Sequence, residues 1–310
     1  MRISVCVFAF MFVLSCVPVH HSTGPLTTEV AKQGFAATFY CPEGSRKKLG
    51  VLVLGGAEGG KPDHLARMLA EEGHPVLSLA YFKVEGTPGN LDMIPLEYFD
   101  KPINWLKNNK NTKGGGIVVV GGSKGAELAL LLASRKPEIK GVIALAPSSV
   151  VWQGISWLPR SSWSLNGKLI PFVPYDCSGG FDPNNLLGLY TQSLTRKEYV
   201  QKAAIEVEKI HGPILLLSGR DDTLWPSSEM GDMICNRLKE KAFKYKYEHV
   251  KYDDAGHTLN EYYMLGGTLE GNKAARIDST QRMFEFLKAV EDEQAAAPEA
   301  ATSRSDEGEE

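Results

Sequence analysis

The sequence predicts an α/β protein: a mostly parallel sheet with helices on both faces and a cap segment inserted near its middle. Three observations carry this. Short apolar runs ending in glycine alternate with helix-patterned stretches through most of the 310 residues, as strands wound between helices do. The runs are apolar at consecutive positions, which suits strands buried on both faces. Residues 148–205 break the alternation with a stretch too long for an ordinary loop and too aromatic for a linker.

The elements follow in order. GFAATFY (34–40) and GVLVLGG (50–56) read as strands. PDHLARMLAEEG (62–73) places Leu65, Met68 and Leu69 on one face, with Pro62 near its start and Gly73 as its stop, so it reads as a helix. PVLSLAY (75–81) is a strand, and residues 95–109 are helical, with Pro102 expected to cap or kink them. GIVVVGG (116–122) is a strand and KGAELALLLASR (124–135) a helix. Residues 141–147, 212–219 and 243–252 give three more strands, and 227–241 and 274–290 two more helices. The cap carries Trp152, Trp157, Trp163, Phe172 and Tyr175. Trp152, Trp157 and Trp163 are its candidates for contacting a substrate.

The ends are expected to stand apart from this domain, which is bounded at about 28–290. Residues 1–22 hold Arg2, then an apolar stretch from Ile3 to Leu14, shorter than a membrane span and patterned as an export signal. Val13-Leu14-Ser15-Cys16 loosely resembles a bacterial lipobox, which makes Cys16 a candidate lipid anchor and a periplasmic or membrane-anchored location the expectation. Residues 291–310 contain eight acids and one arginine, so the tail is −7 against −3 for the whole chain. With nothing to bury, it is expected to be disordered. The charge balance gives no sign of a nucleic-acid partner. Cys41, Cys177 and Cys235 have no metal-ligand spacing; one disulfide or three unpaired thiols fit equally.

The chemistry centres on VVVGGSKGAEL (118–128). Gly121-Gly122-Ser123-Lys124-Gly125 is a G-x-S-x-G pentapeptide in a strand–turn–helix context. A serine in such a strained turn stands clear of the sheet, and the flanking glycines let strand and helix approach closely. A serine nucleophile needs a base, and the base needs an orienting acid. LLLSGRDDTLWP places Asp221 and Asp222 just past a strand. The spacing Gly219-x-x-Asp222 favours Asp222, with Asp221 as the alternative. VKYDDAGHTLN presents His257 in a loop after the next strand. The oxyanion donors are expected to be the backbone N–H groups of Lys124 and of Ala57, the latter in LGGAEGG (54–60). No metal or cofactor is needed.

These segments resemble a known family: the C-terminal catalytic domain shared by acyl-CoA thioesterases and bile acid-CoA:amino acid N-acyltransferase. GGAEGG, LSLAYF, IPLEYFDKPINWL, GGSKGAELALLLAS, GPILLLSGRDDTLWPS, DDAGHTLN and GGTLEGNKAARIDSTQRMFEFL occur in that domain's order, from about Leu49 to Lys288. The resemblance implies an α/β-hydrolase fold and acyl transfer from a thioester or ester. It also implies Ser123 as nucleophile, Asp222 as acid and His257 as base. The animal enzymes of the family carry a β-sandwich domain before this one, and this chain is expected to lack it. The amino-acid-conjugating members use cysteine where this chain has Ser123, which favours hydrolysis. The expected function is therefore a serine hydrolase of small-molecule acyl thioesters or esters. The rivals are an exported carboxylesterase resembling dienelactone hydrolases, a non-catalytic binding protein and an N-acyltransferase.

Overall fold

A computed structural model describes residues 26–29, 34–42, 48–156 and 158–296. The expected export signal, Cys16, Trp157 and residues 297–310 lie outside the described residues. In chain order the elements are β1 (Leu26–Glu29), β2 (Ala36–Cys41), β3 (Lys48–Leu54), α1 (Asp63–Glu71), β4 (Val76–Ala80), β5 (Ile94–Pro95), α2 (Asp100–Lys107), β6 (Thr112–Gly122), α3 (Lys124–Ala133) and β7 (Ile139–Leu145). They continue with β8 (Trp163–Leu165), β9 (Lys168–Leu169), α4 (Leu186–Leu194), α5 (Lys197–Ala203), β10 (Ile214–Gly219), α6 (Ser227–Glu240), β11 (Tyr247–Tyr252) and α7 (Leu269–Ala296).

Eight strands form one sheet in the order β1-β2-β4-β3-β6-β7-β10-β11. β1 and β2 enter antiparallel, and every pairing from β4 to β11 is parallel. The consecutive apolar runs have a simple cause: each strand fills two cores. Leu52, Leu54, Ile117 and Val119 face α2, α3 and α6, packing with Ile103, Leu106, Leu128 and Ile234. Val51, Val53, Val118 and Val120 face α1 and α7, packing with Leu69, Met283 and Leu287. Successive side chains on a strand point to opposite faces, so neighbours serve different helices. All ten residues of α3 are buried, as befits a helix that is apolar nearly all round.

Several boundaries differ from expectation for identifiable reasons. Residues 96–99 form a 3₁₀ turn and α2 starts at Asp100. Pro102 therefore sits in the first helical turn, where its missing N–H has no intrahelical acceptor to lose. β11 begins at Tyr247, after a turn through Ala242 at φ 50°. The expected disordered tail is corrected at its start: α7 continues through Ala296. Glu291 holds this last turn to the domain by accepting the Leu49 N–H at 3.1 Å and lying 3.6 Å from His74 Nδ1. No disulfide joins Cys41, Cys177 and Cys235.

Residues 148–205 fold against the carboxyl side of the sheet and have structure of their own. β8 pairs with β5 and β9 in a small second sheet. The two ends of the segment are laced together by Val151 N–H to Ala203 O (2.9 Å) and Ile205 N–H to Ser149 O (3.0 Å). A third apolar cluster joins Trp152, Val173 and Tyr190 of this segment to Trp225 and Met230 of the main domain.

Candidate active site

β6 ends at Gly122 and α3 begins at Lys124, so Ser123 alone turns the chain. Its backbone sits at φ 54°, ψ −119°, a conformation that costs about 1–3 kcal/mol in a residue with a side chain. The flanking glycines are forced by packing. A Cβ on Gly121 would lie 2.1 Å from Gly125 O, and one on Gly125 would lie 2.3 Å from Leu54 O. Strand β6, helix α3 and strand β3 thus meet backbone to backbone. The turn is pinned to β7 by the Ser123 N–H, which donates to Leu145 O at 2.8 Å. Ser123 is partly exposed at the end of this otherwise buried helix.

Asp222 lies three residues past β10 and is 5% exposed. Its Oδ1 accepts the N–H groups of Leu224 (2.9 Å) and Trp225 (3.1 Å). Its Oδ2 accepts the Ser227 hydroxyl at 2.6 Å and lies 2.8 Å from His257 Nδ1. Four partners fix this carboxylate's position. Asp221 is exposed, and Arg220 pairs with Asp253. It is Asp222, not the exposed Asp221, that meets the imidazole.

His257 follows β11 in a loop packed tightly on the loop after β10. Its own N–H donates to Leu265 O (2.9 Å), and the Asp221 N–H donates to Ala255 O (3.0 Å). A Cβ on Gly266 would lie 1.8 Å from Asp221 O. Buried Asn272 on α7 secures the loop from behind: its Oδ1 accepts the Gly256 N–H (3.0 Å) and its Nδ2 donates to Gly266 O (3.0 Å). With Nδ1–H donated to Asp222, the imidazole presents Nε2 as an acceptor. That atom is buried and has no hydrogen-bond partner among the described residues. No hydrogen bond joins it to Ser123 Oγ in this structure. Ser123, Asp222 and His257 stand at the carboxyl ends of β6, β10 and β11, the edge where ligands sit in such sheets.

The GGAEGG loop borders the serine. A Cβ on Gly56 would lie 3.3 Å from Ser123 Cβ. The Gly56 N–H is taken by Glu58 Oε1 at 2.8 Å, whereas Ala57 N–H has no acceptor among the described residues. Lys124 offers only its backbone, because its side chain turns inward. Lys124 Nζ lies 2.5 Å from Glu127 Oε2, with both residues almost wholly buried. Burial pulls the lysine's pKa down and pushes the glutamate's up, and their mutual attraction opposes both shifts. Glu127 Oε1 accepts the Trp163 Nε1–H at 2.7 Å and the Trp152 N–H at 3.2 Å.

The cap tryptophans accordingly separate. Trp163 is fully buried, with its N–H committed to Glu127 and its ring 5.7 Å from that of Tyr81. It forms a wall beneath the turn, with its N–H already taken. Trp152 is also fully buried, but it belongs to a row of rings that reaches His257: Trp152–Tyr190 (4.8 Å), Tyr190–Trp225 (5.5 Å) and Trp225–His257 (5.7 Å). Sequence reasoning missed Glu127, Ser227, Asn272, Tyr190 and Trp225. Glu127 left a visible trace, an acid three residues after Lys124 on a helix otherwise wholly apolar. No cluster of three or more His, Cys, Asp or Glu among the described residues is spaced for a metal ion.

Comparison with known proteins places this arrangement. Mouse acyl-coenzyme A thioesterase 5 is 27% identical over 81% of this chain and 62% of its own length. Mouse bile acid-CoA:amino acid N-acyltransferase is 26% identical over 84% of this chain and 64% of its own. The chain thus spans less than two thirds of these curated relatives. Among solved structures, a putative dienelactone hydrolase from Klebsiella pneumoniae superposes with a TM-score of 0.55 at 17% identity, covering 85% of this chain and 97% of its own. The Pyrococcus furiosus esterase Pf2001 gives 0.54 at 18% identity, covering 86% and 93%. These establish the α/β-hydrolase fold. The family described as BAAT / Acyl-CoA thioester hydrolase C terminal matches residues 94–264, more than half of the chain, and to that family this protein belongs.

Proposed function

We propose that the protein hydrolyses acyl thioesters or esters through a Ser123–His257–Asp222 triad and a covalent acyl-enzyme. The observation that carries this is the buried, unpartnered Nε2 of His257, on an imidazole whose other nitrogen is held at 2.8 Å by a four-fold bonded Asp222. A buried lone pair without a donor is costly unless a reacting group completes it. The strained turn at Ser123 supports the same reading, since strain of this kind persists at functional sites.

Ser123 Oγ attacks the acyl carbonyl carbon as His257 Nε2 takes its proton. Asp222 keeps the imidazole in the productive tautomer and stabilises the imidazolium. The carbonyl oxygen, now an oxyanion, accepts the N–H groups of Lys124 and Ala57. The C–S or C–O bond to the leaving group breaks as His257 returns the proton to it. Water then adds to the acyl-enzyme with His257 again as base, and the acid departs as Ser123 recovers its proton. Loss of one oxyanion donor typically lowers kcat by roughly 10²–10³.

Palmitoyl-CoA and short p-nitrophenyl esters, assayed side by side with wild type and Ser123→Ala, test the proposal. Turnover lost in the variant is expected with at least one of them. Activity that survives Ser123→Ala sinks the mechanism.

A further inference from the structure

Resting on that hydrolase reading, we infer that the aromatic row beside His257 reads a neutral hydrogen-bond acceptor on the acyl group. The preferred substrate class is then a short acyl ester or thioester carrying a hydroxy, ether or keto oxygen, in preference to a plain alkyl chain.

Two buried donors point to it. Trp152 and Trp225 are at most 1% exposed, and the indole Nε1–H of each is sealed from solvent with no acceptor among the described residues. An indole N–H donates only, so what completes it must be an acceptor. Both rings pack edge-on against one tyrosine, Tyr190, at 4.8 and 5.5 Å. Trp225 also packs on His257 at 5.7 Å, so the row begins at the reacting centre. Tyr190 is not that acceptor: neither indole N–H is bonded to its hydroxyl, which lies 3.3 Å from the Tyr175 hydroxyl, itself a donor to Gln153 O at 3.0 Å. The third unpartnered buried atom of this neighbourhood is His257 Nε2 itself. Trp152 Nε1, Trp225 Nε1 and His257 Nε2 thus lie along one row, while the remaining wall (Val150, Val173, Met230) is apolar.

The surroundings also choose the acceptor's charge. Burial raises the Tyr190 hydroxyl pKa to about 12; its bond to Tyr175 opposes that, and the nearby carboxylates of Glu127 and Asp222 add to it. An acyl group bearing its own carboxylate faces the Asp222 carboxylate beside the row, Glu127 being paired with Lys124. A neutral oxygen does not. The row is shared between two parts of the chain, with Trp152, Tyr175 and Tyr190 from residues 148–205 and Trp225 and His257 from the main domain.

The full chain is assayed with N-acetylcysteamine thioesters of butanoate, 3-hydroxybutanoate, 3-methoxybutanoate and succinate. Wild type is expected to favour the hydroxy and methoxy substrates over butanoate by at least roughly tenfold in kcat/KM, because a site built to bond an oxygen rejects the analogue lacking it. Succinate is expected to be the poorest. Trp225→Phe and Trp152→Phe keep the ring and delete the N–H, and at least one should bring that preference close to unity. A ratio of two substrates does not depend on the folded fraction of a variant. A wild-type ratio near one, or a ratio unmoved by both substitutions, overturns the inference and assigns the two N–H groups to packing or trapped water. Fluorophosphonate labelling separates the failures. Labelling of Ser123 with no oxygen preference sinks only this inference, whereas no labelling sinks the hydrolase reading and this inference with it.

Discussion

Glu127→Gln leaves the Lys124 ammonium, 1% exposed, facing a neutral amide directly beneath the Ser123 turn. Removing one member of a buried pair typically destabilises by about 3–5 kcal/mol. A ceiling follows from the lysine's escape route, which is to lose its proton. Neutralising an ordinary lysine of pKa about 10.4 at pH 7 takes about 4–5 kcal/mol, and burial already lowers this one, so the loss falls below that. The reciprocal Lys124→Met leaves Glu127 with the Trp163 and Trp152 N–H groups still in place. Its ceiling is protonation of the acid, about 3–4 kcal/mol at pH 7 from an ordinary pKa of about 4.3. Burial raises the Glu127 pKa, and losing Lys124 raises it further. The native state then holds a proton that the unfolded state has lost, so stability falls as pH rises above the ordinary glutamate value. Lys124→Met should therefore be nearest wild type around pH 5 and furthest at pH 7–8. The double variant Lys124→Met/Glu127→Gln carries no buried charge and should recover much of the loss. Urea denaturation of the four proteins at two pH values reads all of this. Losses under about 1 kcal/mol for each single variant, or strict additivity in the double, would refute the claim that these charges depend on each other.

Other expectations concern the turn and the acid. Ser123→Gly should abolish activity yet raise the melting temperature relative to Ser123→Ala, because glycine relieves a φ of 54° that alanine retains; equal melting temperatures would contradict the strain. Gly125→Ala drives a Cβ to 2.3 Å from Leu54 O and should cost roughly 3 kcal/mol or more, measured by denaturation. Asp222→Asn should lower kcat by about 10⁴ through the wrong imidazole tautomer, with little change in the circular dichroism spectrum. Mass spectrometry of the mature N-terminus tests export: processing before Cys16 with added acyl mass supports a lipid anchor, and an intact Met1 rejects it.

What the sequence made legible was local. Gly121 and Gly125 announce the turn because nothing but glycine survives a backbone contact near 2 Å. The consecutive apolar residues of β3 and β6 announce a two-faced sheet because each face has its own helices. Counting from Gly219 to Asp222 separates two adjacent acids that composition treats alike. What stayed hidden depends on partners distant in the chain. Trp163 gives its N–H to Glu127, 36 residues earlier, a bond no local pattern announces. Asn272 gave no sign of its role because the Gly256 N–H, 16 residues earlier, meets its Oδ1 only once the His257 loop has folded. The β5-β8-β9 sheet consists of strands two or three residues long, below what periodicity detects. The last turn of α7 was read as solvated for its charge, yet one of those charges bonds a main-chain N–H 242 residues away.

The tight seating of the His257 loop on the loop after β10 has a consequence for alignment. Asp222 and His257 share a single slab, keyed by main-chain contacts and by the glycines at 256, 266 and 267. Ser123 instead follows β6 and is bonded to β7. The two parts are joined through the direct pairing of β7 with β10, so a substitution that shifts that register should move Ser123 against His257 while the Asp222–His257 contact stays intact.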